Sequence, residues 1–134
     1  MIDRLDFAAP FVYSSKGVSP ESVKSRQLRD GIKRGDTALI LKIVAYIAGL
    51  VADGQFPGFF GSQVTLVPVP GHTPLAPGAI STTQRIARAL SERGLGTEVS
   101  LFLTRTNPVQ KSAFAAPPLR PRARDHFESM SVQS

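Results

Sequence analysis

The stretch that most limits the fold runs from residue 63 to residue 103. It begins as strand sequence, with β-branched residues in weak alternation over 63–67. Pro68 and Pro70 then end it, because a proline cannot donate to a sheet ladder. Ser81-Thr82-Thr83-Gln84 reads as a capping box and opens the helix RIARALSERG, which Gly94 and Gly96 stop. EVSLFL (98–103) is a second strand. Strand, loop, helix and strand in this order predict a βαβ unit whose two strands run parallel.

Upstream, FVYS (11–14) is short and strand-like. Ser19-Pro20-Glu21 supplies an N-cap, a first-position proline and a first-turn acid, so a helix should run to about Lys33 and stop at Gly35. Its apolar stripe is thin (Val23, Leu28, Ile32), which predicts a surface helix with a basic outer face. Asp36 can cap a second helix, DTALILKIVAYIAGLVAD, apolar on nearly every side apart from Lys42. Its uncharged run from Ile43 to Ala52 is ten residues long. A bilayer needs about 20, so a buried core helix is expected and no membrane span. GQFPGFFGS (54–62) is a Gly/Pro-rich loop whose phenylalanines should pack on the core.

After Arg105 the regularity falls away. Residues 104–127 hold four prolines and five basic residues against one acid, the composition of an excursion or flap. HFESMSV should enter another strand. The length of 134 residues suits one domain, and 42% hydrophobic content with 19% charge excludes a disordered tail. The absence of cysteine excludes disulfides, Cys-ligated zinc and a thiol nucleophile. The N-terminus has no signal-peptide pattern, so a cytoplasmic location is expected. A net charge of +6 points to an anionic partner. That charge is uneven: residues 54–84 carry none, and basic residues gather at Lys24–Lys33 and Arg105–Arg124.

These pieces together resemble the ComF family of phosphoribosyltransferase-like proteins. The resemblance lies in LVPVP (66–70), QRIARAL (84–90), Arg105 with Gln110, RARDHF (122–127) and the lead-in helices around Lys33, and covers about residues 20–130. It implies an α/β fold: a partial type I phosphoribosyltransferase-like parallel sheet with flanking helices and a Pro/Arg-rich flap. It also implies phosphoribosyl pyrophosphate as ligand, with Mg2+ where the full family site is present. The loop after the first strand would help hold pyrophosphate, since ligands sit at the carboxyl ends of strands in open α/β sheets. The family's arginine-bearing loop is replaced here by GHTPLAPGAISTTQ. Its ribose-phosphate signature, two adjacent acids before a Thr/Gly-rich loop, has no counterpart, because no two acidic residues are adjacent in this chain. Residues 1–134 are therefore expected to form a single, incomplete domain without a catalytic residue of its own, a phosphoribosyltransferase only when completed by further C-terminal sequence.

The candidate ligand residues are Pro70, Gly71 and His72 in the loop and Arg105, Gln110, Lys111, Arg120, Arg122 and Arg124 in the flap. The basic members suit pyrophosphate or nucleic-acid phosphates. A solvated basic segment explains the same residues, and a solvent-exposed loop histidine explains His72. Two well-separated histidines give no metal-ligand spacing. A basic module binding nucleic acid or a protein is the alternative function. A sheet with an unpaired edge also predicts that the isolated chain forms a homodimer, swaps strands or is poorly stable.

Overall fold

The computed structural model describes residues 4–112 and 115–133. They form a small α/β domain with four α-helices and two two-stranded sheets, one parallel and one antiparallel. Local chemistry sets the first two helices. In α1 (Pro20–Arg34) the Ser19 side chain accepts from the Ser22 N–H at 3.2 Å. Glu21 at its start and Lys33 and Arg34 at its end complement the helix dipole. Gly35 closes it at φ +69°, a left-handed conformation that suits glycine. The next residue, Asp36, caps α2 (Thr37–Ala52) by accepting from the Leu39 N–H at 3.0 Å. The chain bends by 119° between these helices. Arg85 of α3 (Thr82–Glu92) pins the corner, donating to the Gly35 carbonyl at 2.8 Å and to the Thr37 hydroxyl.

The core forms where α2 meets α3. Ile40, Ile43, Val44 and Ile47 pack with Leu90 and Leu95, and Val44 is only 1% exposed. Leu28 and Ile32 of α1 and Phe60 of the 54–62 loop pack against this cluster, as the thin stripe and the phenylalanines predict. Leu41 and Tyr46 stay exposed, so α2 is apolar all round but buries one face. Among the described residues no single helix is long and apolar enough to cross a membrane.

The βαβ unit forms. β1 (Thr65–Leu66) pairs in parallel with β2 (Glu98–Val99), and α3 makes the crossover. Gly96 lets them approach: a Cβ there would lie 2.6 Å from Leu66 Cγ and 3.2 Å from the Val64 carbonyl. Both strands are shorter than the sequence suggests. The Ser100 N–H still donates to the Leu66 carbonyl at 2.9 Å, but β1 turns away at Pro68 and leaves the rest of EVSLFL without that partner.

The chain then changes sheets. β3 (Leu103–Arg105) pairs antiparallel with β4 (Met130–Val132). The expected parallel sheet is thus one parallel pair followed by an antiparallel pair. Between β3 and β4 lie a 3-10 turn at Pro117–Leu119 and α4 (Ala123–Glu128). His126, Phe127 and Glu128, expected near a strand, are helical because the Asp125 carboxylate accepts from the Arg122 N–H at 2.6 Å and starts a turn. FVYS is not a strand either. It lies along α1, with the Ser14 N–H donating to Ser25 Oγ at 3.1 Å and Arg29 donating to the Tyr13 hydroxyl at 2.6 Å.

Candidate functional site

A cavity of about 230 Å3 opens at the carboxyl end of β1. Pro68 and Pro70 line it on the β1 side, Leu75 and Ala79 on the loop side, and Leu101 and Leu103 where the chain passes from β2 to β3. The N-terminus of α3 contributes Ser81 and Gln84. Arg105, at the end of β3, completes the wall.

Arg105 is 9% exposed. Its Nε donates to the Gly71 carbonyl at 2.8 Å, and its Nη1 to the His126 carbonyl at 3.3 Å and to the Ser129 hydroxyl. These acceptors are all neutral. Among the described residues Arg105 makes no ion pair, and Nη2 has no hydrogen-bond partner. A buried cation ordinarily has a compensating charge, and among the described residues no carboxylate pairs with this one.

Gln84 is 6% exposed. Its backbone N–H donates to Ser81 Oγ at 3.1 Å, which is half of the expected capping box. The return bond is not made, and the side-chain amide has no partner among the described residues. No fully buried side-chain polar atom lacks a partner among the described residues, so this amide and Arg105 Nη2 both reach solvent. Both residues line the cavity.

The predicted residues separate into three places. Pro70 and Arg105 line the cavity beside Gly71, whose carbonyl holds Arg105. His72 lies next to it but does not line it; its carbonyl accepts from the Val109 N–H at 2.7 Å and ties the loop to the basic segment. Gln110 borders a separate open groove of about 370 Å3 with Asp125 and Glu128. Lys111, Arg120, Arg122 and Arg124 are exposed and line neither space. Arg124 pairs with Glu128 at 2.6 Å, an exposed contact of little energetic weight.

Two residues escape sequence reasoning. Gln84 reads as a capping residue, because its spacing from Ser81 satisfies that pattern fully. Ser129 carries no local signal; it matters only because β4 pairs with β3. The cavity fits no resident Mg2+, since no carboxylate lines it. Among the described residues, no group of three His, Asp or Glu side chains could hold a metal ion. Comparison with protein-family models, with curated proteins and with solved structures gives no match.

Proposed function

We propose that the chain is a phosphoribosyltransferase-like binding domain for a phosphorylated small molecule of the phosphoribosyl pyrophosphate type. The observation that carries this reading is the parallel βαβ crossover. It leaves the 70–80 loop and the N-terminus of α3 at the carboxyl end of β1. The basic 106–129 segment is anchored beside that loop through Val109 and His72. Phosphates would lie outside the apolar cavity, along the exposed cations of 106–124, where water still screens the excess charge. No carboxylate pair to position a ribose lines the cavity, so the reading is one of binding and not of turnover by these residues.

Titration calorimetry with phosphoribosyl pyrophosphate and with ribose 5-phosphate tests it. Saturable binding is expected, weakened about ten-fold when Arg120 and Arg122 are both changed to Ala. Absence of heat at millimolar ligand sinks the reading.

Nucleic-acid binding is the second reading. In its favour, Lys33 and Arg34 at the end of α1 and Arg120 and Arg122 are all exposed. A steep fall in DNA affinity with added salt would support it, and no binding at low salt would eliminate it.

A further inference from the structure

We infer that the cavity between β1, α3 and β3 takes a small monocarboxylate with a compact apolar body, held by Arg105 and Gln84. The inference goes beyond the phosphorylated-ligand reading and does not rest on it.

The first argument is charge. One guanidinium borders the cavity, no acid does, and two of its three nitrogens are already engaged by Gly71, His126 and Ser129. A single negative charge neutralises it. A phosphate monoester would bring about 1.5 to 2 negative charges, with oxygens facing Pro68, Leu101 and Leu103. Unpaired charged oxygens against such a wall are costly.

The second argument is hydrogen bonding. A carboxylate presents two acceptor oxygens in one plane. One would accept from Arg105 Nη2 and the other from the Gln84 amide N–H, cavity-lining residues whose groups lack a partner among the described residues. An alcohol or an apolar molecule would leave the guanidinium unpaired.

The third argument is size. A cavity of about 150 Å3 accommodates benzene in a protein of known structure. The 230 Å3 here leaves room for a ring or branched chain of that size with a carboxylate attached. Its walls are apolar, apart from the two holding groups and a few hydroxyls.

The test uses the full chain, labelled with 15N, and four probes of matched size: benzoate, benzamide, benzyl alcohol and phenyl phosphate. Expected are saturable benzoate binding, shifts of the Gln84 side-chain NH2 and Arg105 Nε signals, and benzamide at least about ten-fold weaker. Gln84→Leu should weaken benzoate about ten-fold with the fold unchanged by its backbone spectrum. Arg105 variants are avoided because Arg105 also ties the structure together. Equal binding of benzamide or benzyl alcohol, or benzoate shifts that miss Gln84, would overturn the proposal. So would phenyl phosphate binding more tightly than benzoate, a result that would leave the phosphorylated-ligand reading standing.

Discussion

Arg105 joins three places that are distant in sequence: Gly71 of the loop, His126 of α4 and Ser129 before β4. A lysine there keeps the charge but offers one compact ammonium that cannot reach all three. Arg105→Lys should therefore lower stability by roughly 1–3 kcal/mol, read as a fall in the thermal midpoint; an unchanged melt would refute the bracing role. Gly96→Ala should cost a similar amount, about 1–3 kcal/mol, because the methyl group meets Leu66 and the Val64 carbonyl. On α1, Arg29 donates to the Asp30 carboxylate at 2.7 Å and holds its pKa below the ordinary range. The sign follows: the pair adds stability above the unfolded carboxylate range and loses it as pH falls through the lowered value. Arg29→Ala should move the Asp30 titration upward by NMR, and no movement would contradict this pairing. The sequence pointed to Arg105 as a flap cation, matched with Gln110 in the family resemblance. It hid Gln84, because a residue type that fits one local role reveals nothing about a second, non-local one.

Whole elements were legible in proportion to how local their causes are. Ser19, Gly35, Asp36 and Ser81 mark the ends of α1, α2 and α3 with bonds that span a few residues, and these helices appear where expected. Ser81→Ala should cost about 1 kcal/mol by removing the bond to the Gln84 N–H, measurable by urea unfolding. Ile40→Ala in α2 should cost about 2–5 kcal/mol, since its side chain is buried at the α2–α3 contact. A loss below 1 kcal/mol would mean that this contact is not the core. The strands were harder to read. EVSLFL looks continuous, but its length in each sheet depends on where β1 turns away and where β4 arrives. Neither event leaves a mark within the six residues themselves.

At the scale of the whole molecule, the surface is large for the mass. The accessible area is 9805 Å2 for 14.4 kDa. A compact monomer of this mass exposes about 6,800 Å2. The excess exceeds the roughly 1,200–2,000 Å2 buried in a standard protein–protein interface. Exposed Val69, Leu75, Ile80, Leu101 and Phe102 contribute to it, and the first three lie in the stretch without charge. A second copy could cover these residues without opposing like charges from that stretch, although each chain carries +6. Sedimentation should show self-association at tens of micromolar, suppressed by Leu101→Lys. A single monomer species at all concentrations would rule this out.

The bonds of Arg105 also mark where the fold is least secured. The core forms between α2 and α3, and Arg85 of α3 ties the corner between α1 and α2 to it. The floor of the cavity needs partners 34 and 24 residues from Arg105 in opposite directions along the chain. That closure lies outside the core and rests on a short two-stranded pairing and side-chain bonds, and lightly packed parts of this kind open before the core does. Amide exchange should accordingly be slowest in α2 and fast at Ser129 and β4. A ligand that grips Arg105 would act as a latch on the part of the protein that opens most readily.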